Sequence, residues 1–404
     1  MTSEPSNSSF SGQLRAFAII AAALFLNNTV ALMLGPLLVG IAKEFDTSVA
    51  VAGQLIAAAS FTWAIFAPLA GPFSDSFGRR LIALIGLALM GACILAAAFA
   101  PNFYVMMVLL LGTGMSGAMI PPNSMAAISD IVTPEQRGRA IGAASGIATA
   151  AAVIGVPVVA ILANIADWRL PFIVCGSLLL GIFVLSWLWY PKGTATESRS
   201  FSYLSRFREL ASISVFRIGM LANVSQRIAF YTVFGYLAAF LIDTYGMSVG
   251  ETALPLAVVG LGAVIGSLWG GVIANHRRRL NFVASSALAG GATALILFAI
   301  EPAIWVTVFI AFGAVCVLSI GYPVFITFAT DVSGQSRATA VGMMGGSSGL
   351  GGVLGSSLGG AFLAIGGFNA VGIFCLVTMV ISALIIQLFM REPTGAKDER
   401  SPLV

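Results

Sequence analysis

Long apolar stretches alternate with short polar connections over almost the whole chain. Twelve apolar segments can be marked, and most reach the roughly 20 residues that a helix needs to cross the hydrocarbon core of a bilayer. Each such segment must satisfy its own backbone hydrogen bonds in lipid, so each is predicted to be a helix, and the short alternating segments typical of a β-barrel are absent from the sequence. The segments are 15–41, 49–70, 81–100, 103–127, 139–163, 169–190, 215–241, 251–273, 281–300, 303–327, 338–364 and 368–390.

The longest polar break separates six segments from six. We therefore predict an all-α membrane protein with twelve transmembrane helices in two pseudo-symmetric six-helix bundles, 15–190 and 215–390. A cytoplasmic linker, 191–214, joins the bundles, and short cytoplasmic segments, 1–14 and 391–404, flank them.

Composition agrees with this pattern. Hydrophobic residues make up 58% of the 404 residues and charged residues 9%, whereas a soluble domain carries about 25% charged residues. The net charge of +4 does not indicate nucleic-acid binding, because the basic residues lie in short loops. His276 is the only histidine, which excludes a histidine-based metal cluster. No phosphate loop and no nucleophile with a base are present, so we expect neither an enzyme nor a bound cofactor or metal.

Lysine and arginine are distributed unequally between the two sides. Sixteen of the 20 basic residues fall in the loops on the side of the N-terminus, and Lys43 and Arg169 are exceptions. Cytoplasmic loops carry such an excess. We expect a multi-pass protein of the plasma (inner) membrane with both termini in the cytoplasm.

A polar motif between the second and third segments, GPFSDSFGRR at 71–80, has a partly matching copy 200 positions later, GVIANHRRR. In the copy, Arg279 matches Arg79, whereas Asn275 stands in place of Asp75. The motif therefore indicates a duplicated chain whose halves have diverged.

A second pair of loops has nearly the same offset. DIVTPEQRGRAIG begins at Asp130 and DVSGQSRATAVG at Asp331, and their arginines Arg137 and Arg337 are again 200 positions apart. Parallel repeats of this kind are a known plan for transporters, with the substrate site near the membrane midplane between them.

With these features the chain resembles the major facilitator superfamily, and most of all its twelve-helix drug-efflux and sugar-efflux branch. Three signatures carry the resemblance: GPFSDSFGRR, Gly155-Val156-Pro157 in the fifth segment, and Trp168-Arg169 with Pro171-Phe172 at the start of the sixth. The resemblance implies a monomeric secondary transporter in the lipid bilayer that exports small organic molecules, drug-like, sugar-like or anionic, by alternating access.

Two departures from the family pattern bear on coupling. The fourth segment has no arginine, and none of the 16 acidic residues falls within a helix core. Protons and a counter-substrate therefore both stay open as coupling partners. An importer or facilitator without proton coupling is the alternative within transport, and a non-transporting membrane sensor is the alternative outside it.

The resemblance also implies a latch on the cytoplasmic side. Asp75 is expected to contact the start of the eleventh helix beside Arg337, and also Arg137 or Arg139. Since Asn275 lacks the charge of Asp75, the latch is expected in the first half alone. A solvated turn that only sets topology is the alternative. The gating residues are Asp75, Gly71, Arg79, Arg137, Arg139 and Arg337.

Arg227 is the most informative single residue, because it lies near the middle of the seventh segment. An arginine at a helix centre costs roughly 2.5–3.5 kcal/mol on insertion scales, so it normally faces a wet cavity or a partner. Asn223 and Tyr231 share its helix face, and Gln226 is adjacent. This stripe suits an anionic or hydrogen-bonding substrate. A structural arginine bonded to carbonyl groups is the alternative.

Asn27 and Asn28 lie midway along the first segment, which the repeat relates to the seventh. Adjacent positions are about 100° apart on a helix, so one side chain can face a cavity while the other packs. Substrate binding and interhelical hydrogen bonding are the two alternative roles for these asparagines.

Small residues are dense in the eleventh segment and are matched in the fifth. Gly351 and Gly355 belong to a repeated GxxxG pattern, and Gly155 and Pro157 hold the related place. Such spacing lets helix backbones approach closely. Static packing and a moving hinge are compatible readings.

Overall fold

A computed structural model of the chain describes residues 8–132, 137–189, 203–333 and 337–390. Within these residues the regular structure is helical and there are no strands. Eleven helical segments are long and apolar enough to cross a membrane. The last, Thr339–Phe389, is interrupted by non-helical backbone at Gly366 and Gly367. The described chain thus has twelve spans, in the order that the sequence predicts.

The spans of the first half are built from the following helices: Ser8–Leu32 and Leu34–Glu44 (first), Val49–Ala52 and Gln54–Phe77 (second), Arg79–Ala97 (third), Phe103–Gly117 and Ile120–Ile131 (fourth), Arg137–Ala150, a π-helical turn Ala151–Gly155 and Val156–Ile165 (fifth), and Arg169–Trp189 (sixth). Those of the second half are Ser214–Tyr245 (seventh), Ala253–Ile273 (eighth), Arg279–Ala299 (ninth), Ile304–Ser319 and Gly321–Val332 (tenth), and Arg337–Phe389, which the two glycines divide into the eleventh and twelfth.

Proline explains why the first, fourth and tenth spans are broken. Each break lies a few residues before Pro36, Pro122 or Pro323. Proline has no N–H for the carbonyl four residues earlier, and its ring crowds that carbonyl. Pro122 and Pro323 are 201 positions apart, the same offset as Asp130 and Asp331, so the two broken helices belong to the repeat.

The motif at 71–80 is mostly helical. The second span continues to Phe77, beyond the predicted limit at residue 70, and Gly78 alone makes the turn, with φ of 90°. Side chains rarely tolerate that conformation, so the position favours glycine. Arg79 begins the third helix, and Arg279 begins the ninth in the same way. We call the side of the bundle with these two arginines the arginine-rich end, and the other side the opposite end.

A helix that the sequence pattern did not predict, Tyr203–Ser212, precedes the seventh span. Its residue Leu210 is buried in the core of the second half, and Phe207 and Ala211 pack against that core. Their spacing of three and four residues is the signal of a short amphipathic helix. This helix lies within the segment expected to link the two bundles.

Each half has its own hydrophobic core. Phe172 and Leu179 belong to the buried cluster of the first half, and Phe325 and Phe328 to that of the second. Two separate cores agree with two bundles of helices. Both clusters also reach across the interface, since that of the second half includes Ala152 and Val156 of the fifth span and that of the first half includes Tyr236 of the seventh.

The second and eleventh spans pack against each other across this interface. The Cα of Gly349 lies so close to Ala64 that an added methyl group would approach its backbone to 2.7 Å. At Gly360, near the opposite end, such a group would lie 2.6 Å from the carbonyl oxygen of Ala50. Close approach of backbones is the usual role of small residues in membrane helices.

Candidate functional site

The buried polar side chains of the seventh span are the starting point for a site. Asn223 and Gln226 are 0% exposed and Arg227 is 7% exposed, whereas Tyr231 is partly exposed. They lie in the central part of a 32-residue helix, and Arg227 is about 20 Å from the nearer end at 1.5 Å per residue. Three of the four residues of the predicted polar stripe are therefore enclosed in the central part of the helix.

Asn223 joins the seventh span to the eleventh. Its Nδ2 donates to Ser347 Oγ at 2.7 Å and to the carbonyl oxygen of Met344 at 3.4 Å. Its Oδ1 is buried and accepts no hydrogen bond. The contact is of the interhelical kind that polar side chains make in membranes, so the described geometry of Asn223 is structural.

Arg227 lies between the tenth and eleventh spans. The Cζ of its guanidinium is 4.7 Å from the ring centroid of Phe230 and 4.7 Å from that of Tyr322. Its Cβ lies against Gly351, where a side chain larger than glycine would collide with it. The attraction of a cation to aromatic faces offsets part of the cost of burying the charge.

The guanidinium of Arg227 is nevertheless left without hydrogen-bond acceptors on one edge. Both Nε and Nη2 are buried and have no partner. Burying a charge without pairing it is costly. The alternative of a structural arginine bonded to carbonyl groups therefore finds no support at these two atoms.

Gln226 shows the same feature. Both atoms of its amide are buried without a partner, and they lie against Gly321 at the start of the second helix of the tenth span. Gln226 and Arg227 thus converge on one turn of that span, since Tyr322 follows Gly321. Two adjacent buried groups with unused hydrogen-bonding capacity mark this turn as the candidate binding site.

Tyr231 lies one turn further along, where the two halves meet. Its ring is near Gly352 of the eleventh span, and the hydroxyl of Ser60 from the second span lies against the same glycine. The candidate site is therefore close to the interface between the bundles, which is where a repeat-based transporter places its substrate.

The two asparagines of the first span differ. Asn28 Nδ2 donates to the carbonyl oxygen of Ala148 at 3.1 Å, which joins the first span to the fifth. Asn27 is 0% exposed, and neither atom of its amide has a partner. Its Oδ1 lies beside Gly117 of the fourth span. Asn28 has the structural role, and Asn27 keeps unused hydrogen-bonding capacity inside the first bundle.

The fifth span has a π-helical turn, Ala151–Gly155, just before Pro157. Such turns are frequent at functional positions. Gly155 packs so closely on Thr29 of the first span that a larger side chain would collide with it. The eighth span packs on the other side, since Gly260 lies against the backbone of Ala152 and Val153. The predicted packing motif thus lies between the two halves.

The glycine pattern of the eleventh span packs on the seventh. A methyl group at Gly351 would lie 2.9 Å from the carbonyl oxygen of Val224, and one at Gly355 would lie 2.5 Å from that of Ile228. Thr232 Oγ1 donates to the carbonyl oxygen of Gly355 at 2.9 Å. These contacts are tight packing, as the pattern predicts.

Hydrogen bonds join the two halves near the opposite end. Ser357 Oγ donates to Gln54 Oε1 at 2.9 Å, and Gln54 Nε2 to the carbonyl oxygen of Ser357 at 3.5 Å. The backbone N–H of Gly250 donates to Asn164 Oδ1 at 3.3 Å. A cavity of about 490 Å³ at this end is lined in part by Glu44 and Trp168.

The predicted gating residues are described only in part. The side chains of Asp75, Arg137, Arg139 and Arg337 lie outside the described residues, as does any contact of Gly71. Arg79 Nη1 donates to the carbonyl oxygen of Ala126 in the fourth span at 3.4 Å. The latch on Asp75 stays a prediction.

Sequence reasoning missed Phe230, Tyr322 and Ser347 at this site. Phe230 is three residues after Arg227 on the same helix, a spacing at which side chains meet. Tyr322 and Ser347 belong to other spans, and no pattern in one sequence indicates which helices surround the seventh.

Comparison with known proteins gives the family. The family model described as Major Facilitator Superfamily matches residues 20–338 and, in a second match, residues 219–403. Together the matches span most of the chain, so the chain belongs to this superfamily. A transporter is indicated rather than an enzyme.

Curated relatives match at low identity over most of their length. The chain is 25% identical over 388 residues to the uncharacterized MFS-type transporter YceJ of Bacillus subtilis (strain 168), covering 94% of this chain and 97% of that protein. It is 24% identical over 324 residues to the quinolone resistance protein NorA of Staphylococcus aureus (strain MRSA252), covering 78% and 81%. It is 24% identical over 294 residues to a probable sugar efflux transporter of Helicobacter pylori (strain G27), covering 72% and 74%.

A solved structure has the same fold. It is a bacterial homolog to the human lysosomal transporter Spinster in an inward-facing and occupied conformation, with a TM-score of 0.74 and 20% sequence identity, covering 96% of this chain and 97% of that one. At this identity the likeness shows the fold alone. It confirms the predicted architecture of two six-helix bundles.

Proposed function

We propose that this member of the superfamily is a secondary active transporter that exports small organic molecules by alternating access. Two similar proteins have names that denote drug resistance and sugar efflux, and the fifth-span motif Gly155-Val156-Pro157 resembles the exporting branch. These likenesses favour export over import.

The unpaired guanidinium edge of Arg227 is the observation that carries the proposal. It lies at mid-depth of the seventh span, close to the interface of the bundles, with two buried nitrogen atoms that no described residue satisfies. A membrane-buried ionisable residue is by default part of a substrate or ion pathway. The substrate site accordingly centres on Arg227, with Gln226 and Tyr231 at its margins.

Packing of the fifth span supports alternating access. Toward the opposite end this span meets the eighth closely, at Ala152 with Gly260, and meets the connection before the eighth at Asn164 with Gly250. Toward the arginine-rich end, Gly142 and Gly146 are exposed, and a methyl group added at either would meet no atom of another helix within 4 Å. This difference favours a state that is sealed at the opposite end and opens toward the arginine-rich end. That end is the cytoplasmic one in our proposal, because cytoplasmic loops are rich in arginine.

The positions of the carboxylates favour a second possibility for coupling. Asp243, Glu251, Glu301 and Asp331, whose side chains are described, lie near span ends or in connecting loops. A proton-coupled carrier usually has an ionisable carboxylate along its pathway. Exchange for a counter-substrate, or facilitated flux without proton coupling, is therefore the alternative to proton antiport.

Flux into proteoliposomes or inverted membrane vesicles tests the proposal. Compounds that raise the melting temperature of the purified protein are selected first, and their uptake is followed with and without a pH gradient. Uptake that requires the protein supports transport, and its dependence on the gradient decides the coupling. If no stabilising compound is transported under any gradient, the protein is a sensor and the proposal is wrong.

The variant Arg227→Ala tests the role of this residue in the same flux experiment. This variant should lose uptake while its expression and its elution on size exclusion stay unchanged. Arg217→Ala is the matched control, because Arg217 is an exposed arginine near the end of the same helix. Equal uptake by wild type and Arg227→Ala would remove Arg227 from the site.

A further inference from the structure

The edge of Arg227 that is left unpaired identifies a ligand chemistry. The N–H of Nε and one N–H of Nη2 point the same way along one side of a guanidinium, and together they form a rigid two-pronged donor. These are the two atoms that are buried without a partner. A planar carboxylate, with two oxygen atoms a matching distance apart, fits such a donor with two parallel hydrogen bonds.

No carboxylate among the described side chains reaches this edge. Asp243 is on the same helix but sixteen residues away, about 24 Å along the axis. Asp331 is on the tenth span, nine residues beyond Tyr322, and it is paired with Arg279 at 2.7 Å. No ion pair of Arg227 with a described residue exists. The described residues therefore leave the counter-charge of Arg227 to a ligand.

The rings beside Arg227 restrict the ligand further. Phe230 and Tyr322 each lie 4.7 Å from Cζ of the guanidinium and are partly exposed. The rings offer apolar contact beside the carboxylate position, but they accept no hydrogen bond from Nε or Nη2 of Arg227. Gln226 of the seventh span lies against the same turn of the tenth span, at Gly321, and it has a free donor and a free acceptor. An apolar body with one further polar substituent matches these neighbours.

We propose that the transported compounds are organic carboxylates, whose carboxylate group is held by Nε and Nη2 of Arg227 beside Phe230 and Tyr322. This inference rests on the proposed transport function. Both nitrogen atoms are enclosed in the described conformation, so the packing around them opens for the ligand to enter. Gly351, which lies directly against Arg227, belongs to the glycine-rich eleventh span, whose small residues permit such a movement.

Binding to the purified protein tests this inference without transport. The probes are matched pairs of an acid and its carboxamide, which have nearly the same shape and differ in charge: 2-naphthoate with 2-naphthamide, 4-phenylbutyrate with 4-phenylbutyramide, and octanoate with octanamide. Affinity is measured by isothermal calorimetry in detergent or nanodiscs. At least one acid should bind at least about ten-fold more tightly than its amide, because the amide is uncharged and presents one acceptor oxygen and a donor NH2 group where the carboxylate presents two acceptor oxygens.

Three variants distinguish the contribution of the two-pronged donor to acid binding from that of the positive charge and from an effect on folding. Arg227→Lys keeps the charge but loses the two-pronged donor, and it should weaken acid binding by about ten-fold or more. Arg217→Lys, the same exchange at an exposed position of the helix, should leave it unchanged. Tyr322→Leu retains Arg227 and removes one of the two rings, so it should also weaken acid binding. This variant keeps the inference testable if Arg227→Lys fails to fold.

The outcomes are distinguishable from a failure of the transport proposal. Acid binding that depends on Arg227, without flux, would overturn transport and retain the carboxylate site. Equal affinity for acid and amide, unchanged acid affinity in Arg227→Lys, or failure of every acid to bind would each overturn the carboxylate inference, whatever the flux experiments show.

Discussion

Arg279 Nη1 donates to Asp331 Oδ2 at 2.7 Å and joins the first residue of the ninth helix to the end of the tenth span. The same nitrogen donates to the carbonyl oxygen of Ala274 at 3.1 Å, and the guanidinium lies over the ring of Phe328. The second half thus keeps a paired arginine at the arginine-rich end, although Asn275 has lost the charge found at Asp75.

Asp331→Asn should destabilise the second bundle. The side chain of Arg279 is only 8% exposed and that of Asp331 is 45% exposed, so the loss should be on the order of 1–2 kcal/mol, between the values for exposed and buried ion pairs. The measurement is the free energy of unfolding in detergent by denaturant titration. Glu209→Gln, which removes an exposed acid from the helix Tyr203–Ser212, is the control and should have no effect. A loss no larger than that of the control would show that the pair is only a surface contact.

At the opposite end, Glu44 and Arg169 form an exposed ion pair whose contribution should depend on pH. Glu44 lies beyond the predicted limit of the first span at residue 41, and the hydrogen bond from Arg169 lowers the pKa of its carboxyl below the usual value of 4.5. A carboxyl with a lower pKa in the folded state stabilises the fold fully above its unfolded pKa, and this contribution disappears as the pH falls through the lowered value.

The melting temperature of wild type should therefore exceed that of Glu44→Gln by a constant amount above about pH 5, near the upper end of the titration of an unperturbed glutamate. The difference should shrink as the pH falls further. Thermal unfolding followed from neutral to acidic pH gives the two curves. A difference that grows on acidification would contradict the assigned direction of the pKa change.

The sequence predicted the spans and the duplication well, because both depend on local apolar length and on offsets that can be read directly. The sequence pattern ended the second span at residue 70, because polar residues begin at Ser74. The helix nevertheless continues to Phe77, since a helix that extends beyond the apolar part of a membrane does not need apolar side chains there. The site was predicted less completely. Arg227 was recognisable by its cost in lipid, but Tyr322 was not, because its contact depends on how the tenth helix packs.

Gln54 and Ser357 form the clearest polar contact between the second and eleventh spans, with hydrogen bonds of 2.9 and 3.5 Å. The single variants Gln54→Ala and Ser357→Ala and the double variant should show a coupling energy of about 0.5–1.5 kcal/mol in unfolding, the usual net value of a hydrogen bond. Additive single effects would show that the contact carries no energy.

The predicted latch on Asp75 gives the most direct comparison between the two halves. Its side chain lies outside the described residues, and the prediction rests on the family motif together with the arginines that begin the fifth and eleventh helices, Arg137 and Arg337. A carboxylate at this place attracts both arginines and the positive end of a helix. Asp75→Asn removes the charge without changing the shape, so the arginine-rich end should open more often.

Cysteine labelling measures that opening at Gly146, which is exposed on the fifth span near this end. Alkylation of Gly146→Cys should accelerate in the Asp75→Asn background. The reciprocal exchange, Asn275→Asp, is the matched control. It adds a carboxylate at the position related by the repeat, where the neighbouring Arg279 is already paired with Asp331. We therefore expect little change in labelling from Asn275→Asp. If both exchanges alter the labelling rate equally, the latch is not confined to the first half; if neither does, Asp75 has no role in closure.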